Sequence, residues 1–407
     1  MPLHFQVVLG AGGGILVGLL VGEWAAVLQP IADLFVRLLR MIVAPLVFVT
    51  LALALTKTAG RAMGKIGIRA VAYNLGTLGA ALAIGIGVAV WLGPGVGVDL
   101  SDLGTAANRA LPTAGEPRSA LDILTGIVPA NIVGAFYEAD MLQVLFLAIV
   151  FGVAVNAVGR RARPALDVMQ AVNDVLYRIV HWVVLLAPAG VFAILAAVVG
   201  VHGLGILGAL AWYVVVVLIA TVIHVVGIHG GLVRIVARRP IRDLLRSLRE
   251  PLPIAFASVS TAAALPVSLD AVPRESGISK QVAGFVLPLG AAAGRDSSGI
   301  YQVVSVVTIG QLVGEPLAAG SLFVLWMTAV LSSLAVSGVP GASFVNLTIL
   351  LTATGLPVEL SALVFAVERP LDHLRTSGNL IGQISNAIFT GGISGEIRSD
   401  VTASARA

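Results

Sequence analysis

Asp372-His373-Leu374-Arg375-Thr376-Ser377-Gly378-Asn379-Leu380-Ile381-Gly382-Gln383 is the stretch from which the rest of the chain can be read. Wound as a helix, it puts Asp372, Arg375, Thr376, Asn379 and Gln383 on one face, because their offsets follow the helical repeat. The surroundings are apolar: 58% of the 407 residues are hydrophobic and 11% are charged, with a mean hydropathy of +1.00. A soluble domain carries about 25% charged residues, so the chain reads as an integral membrane protein. In hydrocarbon an ionisable side chain costs several kcal/mol unless it faces a partner, water or a ligand. A stripe holding both signs of charge therefore suggests a binding site for a small zwitterion or anion. The plainer alternative is an interhelical hydrogen-bond patch.

Apolar runs long enough to span a bilayer recur along the sequence. They are continuous rather than alternating, which favours helices over a barrel. Spans are expected at about Val7–Val27, Ile31–Leu55, Gly67–Leu92, Ile127–Val158, Val168–Val199 and Ile206–Val236. Met1 to Gln6 carries no Lys or Arg, so the first span reads as retained rather than as a signal peptide. Lys57, Arg61, Lys65 and Arg69 flank the second connection, Arg160, Arg161 and Arg163 the fourth, and Arg234 to Arg249 the sixth. Gly93 to Thr125 is mixed and partly acidic. This asymmetry predicts a cytoplasmic N-terminus, and the inner (plasma) membrane of the cell is the expected location. It also accounts for the net charge of +4 without invoking nucleic acid. Without cysteine there are no disulfides or thiolate sites, and the six scattered histidines show no zinc-ligand pair beside a carboxylate. No metal, no tightly bound cofactor and no enzyme activity are expected.

After Glu250 the pattern changes. Pro251–Leu269 is interrupted by Ser258-Val259-Ser260-Thr261-Ala262-Ala263-Ala264-Leu265-Pro266, and Leu317–Leu356 by Ser332-Ser333-Leu334-Ala335-Val336-Ser337-Gly338-Val339-Pro340-Gly341. Broken apolar segments in corresponding positions read as re-entrant helical hairpins at a transporter's central site. Two Pro-kinked spans are the alternative. Between them, Gly294-Arg295-Asp296-Ser297-Ser298-Gly299 interrupts a further span, freeing carbonyls and adding the Asp296 charge.

Together these signatures resemble the dicarboxylate/amino acid:cation symporter family, the glutamate and aspartate transporters. The resemblance covers nearly the whole chain. Met41 to Phe48 looks like the family's second helix, and Ile127 to Asn131 with Glu138 its fourth. Ser260 to Pro266 is similar to the first hairpin tip, Pro288 to Gln302 to the seventh helix, Gly338 to Gly341 to the second hairpin, and Asp372 to Gln383 to the eighth helix. It implies an all-α membrane fold of eight transmembrane helices plus two re-entrant hairpins with inverted repeats, working as an elevator-type homotrimer. The expected organisation is scaffold helices 1 and 2 in residues 1–66, transport-domain helix 3 and an extracellular loop in 67–124, and scaffold helices 4 and 5 in 125–203. Residues 204–407 would hold transport-domain helices 6, 7 and 8 with both hairpins.

By the same resemblance, Arg375 pairs with a substrate carboxylate through its planar fork and Asp372 accepts from a substrate ammonium. Thr376 and Asn379 add hydrogen bonds, while Ser260, Thr261, Val336 and Gly338 supply backbone groups and gates. The family's dicarboxylate carriers lack the acid at Asp372, so aspartate or glutamate is the expected substrate. A succinate, malate or fumarate carrier is the alternative, and an anion channel or membrane sensor is a more distant one. The coupling shell departs from sodium-driven members, which carry Asn-Met-Asp-Gly-Thr where this chain has Gly294-Arg295-Asp296-Ser297-Ser298. A sodium-ligating aspartate is replaced by Gln383, and a Tyr and a Ser align with Asn74 and Leu78 while Thr77 is kept. Sodium-independent transport is expected, proton-coupled or passive, with Arg295 standing in for a cation beside Asp296. A residual sodium site is the alternative.

Overall fold

The computed structural model describes residues 3–58, 65–97, 128–138, 140–202, 205–335 and 342–395. Among these the chain is helical apart from short connections and one isolated bridge residue, Ile278. By length and composition, Leu9–Phe35, Lys65–Leu92 and Gly208–Val236 can each cross a membrane.

Several expected spans break where local chemistry demands it. Helix α1 (Leu3–Val21) stops before Gly22, whose φ of +62° leaves the helical region, and a short 3-10 turn leads into α2 (Gln29–Thr58). The run expected as Ile127–Val158 holds α4 (Ile132–Tyr137) and α5 (Met141–Val158), with α3 being Lys65–Leu92. Each of the pair has its own cap: Asn131 Oδ1 accepts from Val133 N at 2.9 Å and Asp140 Oδ1 from Gln143 N at 3.2 Å. The run expected as Val168–Val199 divides at Leu186 into α6 (Arg163–Leu185) and α7 (Ala187–His202). Pro188 has no N–H to continue the ladder, so a break there relieves the helix.

The chain forms two compact units. The first comprises Met1–Ala59, Ala89–Val216 and Gln302–Arg369. In it α1 packs along α7 through Gly10, Gly14 and Gly18, spaced four apart on one face. A Cβ on Gly14 would lie 2.5 Å from the Phe192 carbonyl oxygen, and one on Gly18 2.7 Å from that of Ala196. Small residues let backbones approach where lipid supplies no hydrophobic drive. This unit also holds α14 (Ala319–Ala335) packed on α15 (Ala342–Ala353), and α16 (Ser361–Ala366). The tip between α14 and α15, with Val336 and Gly338, lies outside the described residues.

The second unit comprises Gly60–Val88, Val217–Tyr301 and Pro370–Ala407. Here α8 (Gly205–Ile223) runs on as a wider π-helical stretch, His224–Gly230 and then Leu232–Val236. After α9 (Ile241–Leu248), α10 (Pro251–Ser258) ends at Val259, a β-branched residue with φ of 52° in the left-handed region. Ser260 then caps α11 (Thr261–Ser276), its Oγ accepting from Ala263 N at 3.2 Å, and α10 packs on α11 across the turn. Helices α12 (Lys280–Ala293) and α13 (Asp296–Leu312) are separated by Gly294 and Arg295, and α17 runs from Glu368 to Ser394. Val233, Leu244, Ala255, Val272, Ile278, Val286, Leu380, Ile384 and Ile388 form the unit's buried core.

Gly18→Leu should force α1 off α7 and destabilise the first unit by about 1–3 kcal/mol. Thermal unfolding of the purified protein in detergent should show a lowered Tm, and an unchanged Tm would contradict the close approach.

Candidate functional site

All five residues of the polar stripe lie on α17. Arg375 is only 2% exposed, and its Nη2 donates to Asp372 Oδ1 at 2.6 Å, one helical turn away. Its Cζ lies 4.1 Å from the centroid of the Tyr301 ring, whose π face fixes the guanidinium plane. Thr376 lies buried beside it. A planar cation held by a ring on one face and a carboxylate at one edge is preorganised for an anionic ligand.

Asn379, a turn further on, is bound by protein. Its Oδ1 accepts from Ser297 N at 3.0 Å and Ser298 N at 3.4 Å, while its Nδ2 donates to Ser298 Oγ at 2.9 Å. These N–H groups open α13 and have no partner within their own helix. Asn379 therefore caps the helix that follows the Gly294-Arg295 break. Gly378 lets the two elements approach, since any Cβ there would collide with Ser297 Oγ.

Asp296, 4% exposed, carries the second cluster. His224 Nε2 lies 3.2 Å from its Oδ2 and His229 Nε2 3.3 Å from the same atom, with both imidazoles fully buried. The Tyr73 hydroxyl from α3 sits 2.8 Å from His229 Nδ1, and its ring stacks on the imidazole. The expectation that no histidine pair stands beside a carboxylate is thus overturned. Five residues apart on an α-helix, two side chains point about 140° away from each other. The i→i+5 turn of His224–Gly230 brings them to one side. The signal available in the sequence was the His-x4-His spacing with Gly227, Gly230 and Gly231 nearby, which an α-helical reading discards.

The other expected site residues are placed as follows. Arg295 is half-buried at the break, directly before Asp296. Gln383 is buried, its Cβ and Cγ lying against Gly290 and Gly294. Thr77 is buried and donates to the Asn74 carbonyl in its own helix at 3.3 Å, while Asn74 Oδ1 accepts from Asn386 Nδ2 at 2.8 Å. Ser260 and Thr261 form the turn between α10 and α11. That pair of helices is tied to α17 at Phe256, whose carbonyl accepts from His373 Nδ1 at 2.7 Å. His373 thus holds α10 against α17. Tyr301 was not foreseen as a site residue; it lies five residues beyond Asp296.

A family model described as the sodium:dicarboxylate symporter family matches residues 3–392. A C4-dicarboxylate transport protein of Rhizobium johnstonii is 32% identical over 397 residues, covering 95% of this chain and 87% of that protein. C4-dicarboxylate transport protein 2 of Pseudomonas aeruginosa is 32% identical, covering 93% and 88%. The C4-dicarboxylate transport protein of Rhizobium meliloti is 31% identical, covering 95% and 88%. With a family match over nearly its whole length and a helical fold that carries several membrane-length apolar segments, the chain belongs to the sodium:dicarboxylate symporter family, a family of membrane transporters.

Proposed function

We propose that this protein is a secondary carrier of four-carbon dicarboxylates, with Arg375 as the anchor for one substrate carboxylate. The observation that carries the reading is the buried guanidinium over the Tyr301 ring, in a chain whose relatives bear the name of C4-dicarboxylate transport proteins. The sequence favoured acidic amino acids because of Asp372. Two findings weigh against that preference: the names of the relatives, and the 2.6 Å ion pair through which Asp372 is already offset by Arg375. A site built to bind a substrate ammonium rejects the analogue without one by large factors. A carboxylate already paired with its neighbour makes no such demand. Aspartate remains the second reading, favoured by the quarter-exposed Asp372 side chain on the same face.

The carrier is a homotrimer in the plasma membrane on this reading, with the N-terminus cytoplasmic. The gates close at the Ser260-Thr261 turn and at Val336 to Gly338, and the transport domain moves as an elevator. Sodium is not its coupling ion. A carboxamide, Gln383, packed on glycines is a poor substitute for a carboxylate, and imidazole nitrogens crowd Asp296 Oδ2 where a hard cation needs oxygen.

Uptake of labelled succinate into proteoliposomes should proceed without sodium and be competed by malate and fumarate better than by L-aspartate. Stronger competition by aspartate would establish the second reading. Asp372→Asn removes a like charge from the dianion's site and should tighten succinate binding about fivefold, some 1 kcal/mol. If Asp372 served an ammonium, the same variant would instead lose aspartate binding. Arg375→Lys gives up the planar fork and should weaken succinate binding about 10- to 100-fold in a binding titration. A variant as tight as the parent would remove Arg375 from the site.

A further inference from the structure

The His224–Asp296–His229 cluster is larger than the fold requires. A cap on α13 is already supplied by Asn379, and the apolar core of the second unit closes around Leu380, Ile384 and Val286 without it. To build the cluster, α8 gives up α-helical geometry for an i→i+5 turn, a form that gathers at functional sites. Helix α17 makes room for it: a Cβ on Gly382 would lie 2.9 Å from His229 Nε2 and 3.1 Å from its Cε1. Helix α3 adds Tyr73 behind His229. The π-helical turn thus brings both imidazoles to one buried carboxylate oxygen, and α17 and α3 pack against His229.

We propose that His224, His229 and Asp296 form the coupling site of this carrier and that its ligand is a single proton. The geometry carries the argument: two buried imidazole nitrogens stand 3.2 and 3.3 Å from one buried carboxylate oxygen. With both imidazoles neutral, the three side chains of the cluster hold a single carboxylate charge, with the Arg295 guanidinium on the preceding residue. One added proton sets an imidazolium directly against that carboxylate. Buried charge that is unpaired is costly, and pairing relieves the cost. Two imidazole nitrogens beside the same oxygen give the proton alternative seats: His224, hydrogen-bonded to Asp296, and His229, 3.3 Å from the same oxygen. The other groups facing the cluster are few among the described residues. Tyr73 comes from α3 and Arg295 precedes Asp296 at the break, while α17 presents Gly382 and Gln383, neither of which titrates. Arg375 on α17 lies in the substrate stripe, beside Asp372 and Tyr301.

The route to the substrate is short. Asp296 is followed by Ser297 and Ser298, whose N–H groups bind Asn379, one turn from Arg375 on the same face of α17. A change in charge at Asp296 therefore acts on the start of α13 and on the helix that carries the substrate guanidinium. Positive coupling between proton and dicarboxylate follows if both favour the same placement of that junction. The coupling must then be reciprocal: protons tighten substrate binding and substrate draws in a proton.

The proposal rests on the dicarboxylate reading above, and the test separates the two. Titrate the purified full-length protein with succinate by calorimetry, without sodium, in two buffers of different protonation enthalpy, over the range in which succinate is a dianion. The expected result is about one proton taken up per succinate bound, with Kd rising up to tenfold per pH unit as the site loses its proton. In His224→Gln and His229→Gln the proton count should fall towards zero and the pH dependence flatten. Failure of the parent to bind succinate at all sinks the transport reading. Succinate binding with no proton uptake, or with an uptake that both variants retain, overturns the coupling site. Stoichiometric transition metal in the purified parent, lost in the variants, overturns it as well. If the variants do not fold, the parent decides alone. Across its six histidines, nitrogen-15 spectra should show about one added proton on saturation with succinate, on one imidazole or shared between two, or the proposal fails.

Discussion

A charge taken out of water must meet its complement at close range, and in so apolar a chain this constraint organises everything around the site. Arg375 meets Asp372 and the face of Tyr301, and Asp296 meets two imidazoles. Each arrangement needs a distortion elsewhere: the interruption between α12 and α13 that exposes N–H groups to Asn379, the widened turn in α8, and glycines at positions 378 and 382 where elements must touch. The irregular backbone of the second unit thus follows from where its charges sit. The first unit packs α1 on α7 through a stripe of glycines instead.

Much of this was legible in the sequence. Offsets along Asp372 to Gln383 put Asp372, Arg375, Thr376 and Asn379 on one face, and the Ser/Thr break at Ser260 falls where α10 turns into α11. Other features were hidden because they depend on which helix type forms or on what packs opposite. His224 and His229 look divergent until the helix widens, and Tyr301 looks like a core aromatic until Arg375 lies on it. Asn379 was assigned to substrate by the family resemblance; what only the structure shows is that its amide caps the start of α13. Span boundaries failed at Gly22, Asp140 and Leu186, since continuous hydropathy does not register a positive φ, a capping side chain or a proline.

The family's sodium shell and this chain's buried histidines also make one consistent picture. On the proposed reading, Gln383 standing where the resemblance expects a carboxylate and nitrogen atoms gathering at Asp296 are complementary: the first would remove an anionic oxygen ligand, and the second would compensate the carboxylate that remains. On this reading the coupling ion has changed while the substrate guanidinium and its stripe have kept their place.

A structure of the protein in lipid nanodiscs, with succinate and without sodium, tests the central claim most directly. The account predicts a substrate carboxylate on the Arg375 guanidinium above Tyr301, with both imidazoles still on Asp296. Succinate bound away from the α17 stripe would contradict it, as would a cation seated at Asp296 with the histidines turned aside.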